Sequence, residues 1–96
     1  MTQLTIAANI IVKKDKLERV TTALLKLTAA TRTEQGCINY TLHQDNDDAT
    51  HFLFFETWES REAWQAHMNH QNLKSYKAAT AGCIESVRLN EMTDIS

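Results

Sequence analysis

The tripeptide Gly-Cys-Ile occurs twice in this sequence, at residues 36–38 and again at residues 82–84. Each copy follows a stretch of helical periodicity and begins a stretch that is predicted as a strand. A glycine at this place is typical of a helix end, since glycine adopts the left-handed backbone conformation without a steric penalty. Each predicted helix is preceded by a residue suited to capping, Asp15 in the first half and Ser60 in the second. The distance along the sequence from this residue to the glycine is nearly the same in both halves. The sequence therefore predicts two halves built on one plan.

The first half is predicted as a strand, a helix and a second strand. Residues 3–13 carry apolar side chains at every second position, which is the pattern of a strand. A helix follows, because apolar residues then recur at steps of three and four. The stripe of this helix consists of Leu17, Val20, Leu24, Leu27 and Thr31. Gly36 ends the helix, and the second strand starts at Cys37.

The second half repeats this order after a polar turn at residues 44–50. Residues 51–58 are predicted as a strand, a second helix with a break near residues 69–72 follows, and residues 83–92 form the last strand. Two split β-α-β units of this kind form a ferredoxin-like sandwich. We therefore expect one α+β domain over residues 1–96, of β-α-β-β-α-β order, with both helices on one face of an antiparallel sheet.

The first and third strands are apolar on both faces, although the two helices cover only one. Ala7 and Ile11 lie opposite the main stripe of the first strand, and Leu53 and Phe55 lie opposite that of the third. An exposed apolar patch of this size usually marks an interface. Packing two such sheets face to face covers the patch, so the sequence predicts a symmetric homodimer with a barrel-like centre.

Composition excludes several classes of protein. The 96 residues are 43% hydrophobic and 23% charged, as in an ordinary globular domain, and the formal net charge is −2 with no basic cluster, which argues against nucleic acid as a partner. The apolar runs are too short to cross a membrane. The segment after Met1 lacks the pattern of a signal peptide, and Cys37 and Cys83 form no C-x-x-C motif. We therefore expect a cytoplasmic protein with two reduced, buried thiols.

A few polar residues interrupt the packing pattern. Asn9 stands in the middle of a strand with apolar neighbours, and His67 falls on the apolar stripe of the second helix, where a lone histidine is more often a core residue than a reactive one. Glu56 is interpreted as an edge charge paired with a lysine or arginine. His67 and His70 are spaced to share a metal, but no carboxylate or cysteine at ligand spacing completes such a site, so no metal site is predicted. Only two glycines are present and no phosphate-binding loop occurs, so no nucleotide cofactor is predicted.

Three segments together resemble the antibiotic biosynthesis monooxygenase (ABM) domain family. They are Glu-Gln-Gly-Cys-Ile-Asn-Tyr at residues 34–40, Phe-Phe-Glu-Thr-Trp-Glu-Ser at residues 54–60, and Ala-His at residues 66–67. They are similar to the family pattern E-x-G-C-x-x-Y, then E-x-W-x-[SD], then an A-H pair nine residues after the tryptophan. The resemblance extends over nearly the whole chain and implies a dimeric α+β barrel of ferredoxin-like protomers.

The resemblance also implies an activity. Many members of this family oxidise phenols or quinols with O2 and use neither metal nor flavin, so the expected partners are a small aromatic substrate and O2, with no cofactor. Carried over to this sequence, the resemblance implies His67 and Asn9 as catalytic residues. Its substrate-binding residues map to Trp58, Tyr40, Tyr76 and Phe54. One position departs from the pattern, because Asn72 stands where many members carry a second histidine, and His70 lies two residues earlier.

Three other functions stay open at this point. The family also contains enzymes that process a phosphorylated sugar, so an isomerase or lyase with His67 as its base is an alternative, in which Arg88 and exposed lysines would bind the phosphate. Haem-degrading relatives place a ligand histidine near the position of Lys77. A non-catalytic dimer that binds a small aromatic molecule in the same pocket is the third alternative.

Overall fold

The computed structural model describes residues 2–96 and has the ferredoxin-like α+β fold that the sequence predicts. Four strands form one antiparallel sheet in the order β2-β3-β1-β4. The elements, in chain order, are β1 (Leu4–Val12), α1 (Leu17–Thr31), β2 (Cys37–Gln44), β3 (His51–Trp58), α2 (Arg61–Met68), α3 (Gln71–Ala79) and β4 (Ile84–Met92). The predicted break in the second helix is confirmed, since α2 and α3 are separate helices.

The core lies between the helices and one face of the sheet. Every second residue of β1, from Leu4 to Val12, is buried on that face, and the intervening residues are half-buried on the other. The predicted stripe of α1 packs onto the same face, with Val20 and Leu24 fully buried. Burying a large aliphatic side chain contributes about 1.5–3 kcal/mol, so this alternation fixes which face of each strand turns inward.

The two helix starts differ from each other. Ser60 caps α2 as predicted, since its Oγ accepts a hydrogen bond from the backbone N–H of Ala63 at 3.1 Å. The predicted cap at Asp15 is wrong, because Asp15 lies in a short 3₁₀ turn, Lys14–Lys16, and α1 starts after it with no side-chain cap. The first helix thus begins from a 3₁₀ turn, whereas the second begins from a side-chain cap.

Gly36 and Gly82 have left-handed backbones, with φ of +84° and +77°, but neither directly ends a helix as predicted. Thr31 ends α1, and a turn separates it from Gly36; α3 likewise ends at Ala79, before Gly82. Gly36 also lies against α2, because a β-carbon there would be 2.5 Å from the Cβ of Ala63. The first glycine therefore allows a close approach between the loop and a helix, and the second provides only a turn.

In the described part of the chain, no helix covers the other face of the sheet. Ala7 and Ile11 are half-buried there, and Phe55 is 43% exposed. On the helix side, β4 is an uncovered edge, since Val87 and Leu89 align with the buried Ile10 and Ala8 of β1 but are themselves exposed. Among residues 2–96, no helix combines the length and apolar character needed to cross a membrane.

The two glycines form a matched pair for a test of the loop packing. Gly82→Ala adds a side chain to a left-handed residue in open space, and we expect a loss of about 1–2 kcal/mol in the free energy of unfolding. Gly36→Ala adds the same strain and a clash with Ala63, which costs about 1–3 kcal/mol more. Urea unfolding of both variants measures the difference; equal losses would contradict the close approach.

Candidate active site

A cavity of about 280 Å³ lies between the sheet and helices α2 and α3. Aromatic and aliphatic side chains form most of its wall, together with His67 of α2, Lys77 of α3 and Glu56 of β3. Its lining consists of Ala8, Ile10, Leu27, Tyr40, Phe54, Glu56, Trp64, His67, Met68, Leu73, Tyr76, Lys77, Val87 and Leu89. Because Val87 and Leu89 are exposed, the cavity reaches the surface at the uncovered β4 edge.

His67 lies in the last turn of α2, and its side chain is 3% exposed. The imidazole ring packs against the indole of Trp58 and the phenol of Tyr40, with ring centroids 4.8 Å and 5.6 Å away. Burial lowers the pKa of His67, and the hydrogen bond and charge of Glu34 oppose this shift. At neutral pH the ring is therefore an uncharged base.

A buried carboxylate fixes the orientation of this imidazole. Oε1 of Glu34, whose side chain is 5% exposed, lies 2.9 Å from Nδ1 of His67. Its other oxygen, Oε2, accepts a hydrogen bond from the Nδ2 amide of Asn72 at 2.9 Å. With the Glu34 oxygen as the acceptor of this hydrogen bond, Nδ1 carries the proton and Nε2 is the basic atom. Nε2 of His67 has no hydrogen-bond partner within residues 2–96 and His67 lines the cavity, so Nε2 is free to take a proton from a bound molecule.

Glu56 is the second ionisable group of the cavity. Its interpretation as a paired edge charge is wrong: it lies on the central strand β3, is 4% exposed, and forms no ion pair with a lysine or arginine within residues 2–96. Burial raises its pKa to about 7, although Trp58 opposes this by donating a hydrogen bond from Nε1 to Oε1 at 2.9 Å. A carboxyl group with this pKa exchanges protons readily near neutral pH.

The predicted aromatic residues take two different positions. Tyr40, Phe54 and Tyr76 line the cavity, and the rings of Tyr40 and Phe54 lie 4.6 Å apart. Burial, and next the Glu56 carboxylate, raise the pKa of Tyr40 far above its usual value, so its phenol stays neutral. Trp58 is fully buried behind His67 and outside the cavity lining, where it holds Glu56 and supports the imidazole ring.

Asn9 does not meet His67, and the expectation that the two residues face one cavity is wrong. The two-residue period of β1 places Asn9 on the open face, between Leu53 and Arg88 of the neighbouring strands. There its Oδ1 lies 2.8 Å from Nε2 of His51, whose Nδ1 contacts Asp45 at 3.2 Å. Asn9 therefore belongs to a polar cluster on the opposite side of the sheet from the cavity.

Sequence reasoning missed three side chains of the site. The sequence places Glu34 only within a motif, predicts Glu56 as a paired edge charge, and assigns no functional role to Trp64. Trp64 lines the cavity, and its buried Nε1 donor has no hydrogen-bond partner among residues 2–96. The two-residue period of β3 was sufficient to find Glu56, because it shares a face with Phe54 and Trp58.

A family model described as antibiotic biosynthesis monooxygenase matches residues 3–79. The chain belongs to this family. The resemblance seen in the sequence motifs is therefore confirmed. Both Glu34 and Glu56, and also His67, fall within the matched part of this ABM chain.

Solved structures share the fold of the ABM chain. A Pseudomonas aeruginosa protein superposes with a TM-score of 0.94 at 27% identity, covering 100% of this chain and 97% of that one. A Shewanella oneidensis protein superposes with a TM-score of 0.89 at 26% identity, covering 97% of this chain and 91% of that one. A Nitrosomonas europaea protein named "Putative antibiotic biosynthesis monooxygenase" gives 0.91 at 20% identity, covering 97% and 99%, and at that identity it shows the fold alone.

One curated relative also matches. It is an uncharacterised protein from Synechocystis, 39% identical over 62 residues, which are 65% of the ABM chain. The chain covers 42% of the length of this relative.

The raised pKa of Glu56 predicts how stability depends on pH. The folded state holds the Glu56 proton up to about pH 7, whereas the unfolded chain releases it near 4.5, so stability is full below pH 4.5 and falls as pH rises through 7. The loss is on the order of 3 kcal/mol. His67 acts in the opposite direction, because its lowered pKa reduces stability as pH falls below 6.5.

Comparison with Glu56→Gln isolates the carboxyl contribution, since glutamine keeps an oxygen for the indole of Trp58. We expect the free energy of unfolding of the variant, relative to the parent, to rise between pH 5 and pH 8. Urea unfolding across this range measures it. Parallel pH curves for the two proteins would contradict the buried position of Glu56.

Proposed function

We propose that this protein is a cofactor-independent monooxygenase that oxidises a small quinol or phenol with O2. One observation carries the proposal: an apolar, aromatic cavity holds a neutral histidine and a carboxyl group with a pKa near 7. Its volume of about 280 Å³ lies just below the range of about 300–1,000 Å³ typical of pockets for drug-sized ligands, which favours a substrate of one or two rings.

The substrate itself supplies every electron in this reaction. A phenol and O2 give a quinone and water, so one oxygen atom enters the ring, the other becomes water, and the ring loses the four electrons that O2 accepts. Removing the phenolic proton starts the reaction, because the phenolate gives up an electron to O2 more readily than the phenol. The two resulting radicals then combine to a carbon-bound peroxide.

Burial gives the two ionisable groups complementary roles. It lowers the pKa of His67 and raises that of Glu56, so near pH 7 the cavity holds a neutral base beside a protonated acid. His67 takes the phenolic proton at Nε2, and Glu56 protonates the peroxide. Glu56 then takes the proton from the reacting ring carbon as the O–O bond breaks, and the departing hydroxide takes the proton from His67 to form water. Both groups return to their starting states.

The negative charge that develops on the substrate oxygen needs a hydrogen-bond donor. Asn9, on the other face of the sheet, does not supply it. The indole N–H of Trp64 lies in the cavity wall as a buried donor that no described residue pairs with, and we assign this role to it. A substrate oxygen at this atom would satisfy a group that is otherwise costly to bury.

Isomerisation of a phosphorylated carbonyl compound is less well supported. A phosphate ester needs several cationic or backbone donors around it. Of the lysines and arginines that the structure describes, Lys77 alone lines the cavity, and Arg88 aligns with Asn9 on the open face of the sheet. An apolar aromatic wall suits a flat phenol better than a dianion.

Variants of the two ionisable residues test the mechanism. Oxygen uptake is measured on a panel of one- and two-ring quinols. Loss of general acid–base catalysis costs about 10²–10⁴-fold, so we expect His67→Ala to lower kcat at least about 100-fold. As pH increases, the activity of the parent should rise as His67 loses its proton and then fall above pH 7 as Glu56 ionises. The Glu56→Gln variant should have a lower kcat, and its activity should not fall above pH 7.

His43→Ala is the matched control, because His43 lies exposed at the end of β2 and should leave kcat unchanged. Unchanged turnover in His67→Ala, for every quinol that the parent oxidises, contradicts the assignment of the base. A parent protein that consumes no O2 with any member of the panel contradicts the proposed activity.

The open face of the sheet supports a homodimer as part of the same proposal. Ala7, Ile11, Leu53 and Phe55 form an apolar patch that the helices leave uncovered. A second copy of the chain presents the same patch, so two sheets packed face to face remove both from water.

A charge in the middle of this patch should separate the dimer. Phe55→Glu places carboxylates on both sides of a symmetric apolar contact, and we expect a shift from dimer to monomer in light scattering coupled to gel filtration. Leu25→Glu is the control, because Leu25 is 59% exposed on α1 and away from the sheet. A parent that is monomeric, or a Phe55→Glu variant that stays dimeric, contradicts this arrangement.

A further inference from the structure

A second pocket lies next to the cavity, in a groove of about 170 Å³ between α1 and α3. Small side chains form much of its wall. Its lining consists of Ala23, Lys26, Leu27, Ala30, Asn72, Ser75, Tyr76 and Ala79. Two of these residues, Leu27 and Tyr76, also line the cavity, so they form a shared wall between the two spaces.

We propose that Tyr76 is a specificity-determining residue, which closes the α3 end of the substrate cavity and limits the substrate to compact aromatic molecules. Behind it, the groove between α1 and α3 is space into which a longer fused-ring substrate would extend. The inference rests on the proposed function for its substrate class, but the geometry of the shared wall is independent of any reaction.

Of the two residues in the shared wall, Tyr76 is the one that limits the length of the substrate. Leu27 is 3% exposed and belongs to the main core, so its position is fixed by α1 packing against the sheet. Tyr76 is half-buried at the margin of that core, on the shorter helix α3. Its large planar ring therefore fills space that an unbranched or smaller side chain would leave open.

The far side of the wall has room for a further ring. Ala23, Ala30 and Ala79 present only methyl groups to the groove. Burial raises the pKa of the Tyr76 phenol, so the wall carries no charge at neutral pH and meets an aromatic substrate as an apolar surface. Shortening Tyr76 would join the two spaces without placing a charge in either.

The experiment compares the parent with Tyr76→Leu on two substrates, a one-ring quinol and a three-ring anthrone. The ratio of kcat/KM for the anthrone to that for the quinol is measured by oxygen uptake. A change of a single methylene in an apolar pocket alters such ratios about 10- to 200-fold. We expect Tyr76→Leu to raise the ratio at least about tenfold in favour of the anthrone.

Two further variants make the test specific to the wall. Tyr76→Phe keeps the ring and should leave the ratio at the parent value. Ala79→Phe, added to Tyr76→Leu, refills the groove from its other side and should return the ratio toward that of the parent. Tyr76→Met, with a longer and adaptable side chain, replaces Tyr76→Leu if the latter does not fold. An unchanged ratio in the shortened variant, or no reversal by Ala79→Phe, overturns the proposal.

Binding without O2 separates this inference from the proposed function. Trp64 lines the cavity and Trp58 packs behind His67, so quenching of tryptophan fluorescence under anaerobic conditions reports the dissociation constants of the quinol and the anthrone. Tyr76→Leu should bind the anthrone at least about tenfold more tightly than the parent does. This binding shift in a protein that consumes no O2 supports the role of Tyr76 while it contradicts the monooxygenase activity. If Tyr76→Leu oxidises the quinol normally but its preference for the anthrone does not change, the monooxygenase activity is supported and the role of Tyr76 is contradicted.

Discussion

The candidate site depends on the hydrogen bonds that the side chain of Glu34 makes with His67 and Asn72. Glu34 stands in the loop after α1 and accepts hydrogen bonds from His67 of α2 and Asn72 of α3, on the two sides of the break in the second helix. Its side chain is 5% exposed, and a buried carboxylate is stable only when its oxygens are paired. One group thus joins the first half of the chain to both parts of the broken helix and gives the imidazole a single orientation.

The approach of this loop to α2 is set by backbone geometry. Gly36 has a left-handed backbone and lies against Ala63, and Ala63 is one helical turn before His67. A residue with a β-carbon would push the loop away from the helix. Residue 34, two positions earlier, therefore reaches the imidazole because residue 36 has no side chain. Gly82, in the second Gly-Cys-Ile copy, has a similar φ, but among residues 2–96 no neighbouring atom would lie within 4 Å of a β-carbon there. Only the first copy therefore supports a site.

Periodicity predicted the fold well, because each strand and helix buries one face and the pattern of apolar residues records which face it is. The same rule was sufficient for two site residues that were interpreted wrongly. Asn9 lies between Ala8 and Ile10 in β1, so its side chain points to the opposite face of the sheet. Glu56 is two residues after Phe54 in β3, so its side chain lies on the same face as Phe54. The contact between Glu34 and His67 was beyond this reasoning, since it depends on the path of a loop, and strand and helix periods do not specify loop positions.

The cavity exists because the helices cover the sheet unevenly. Contacts of α1 with β2 and of α2 with β3 hold the helices toward one side of the sheet, and β4 is left at the open edge. Val87 and Leu89 stay exposed there, although their partners on β1 are buried. A substrate entering at this edge would meet apolar side chains first and reach Glu56 and His67 only after losing its water. The same burial raises the pKa of Glu56 and lowers that of His67, so the packing that forms the cavity also favours the uncharged forms of both groups.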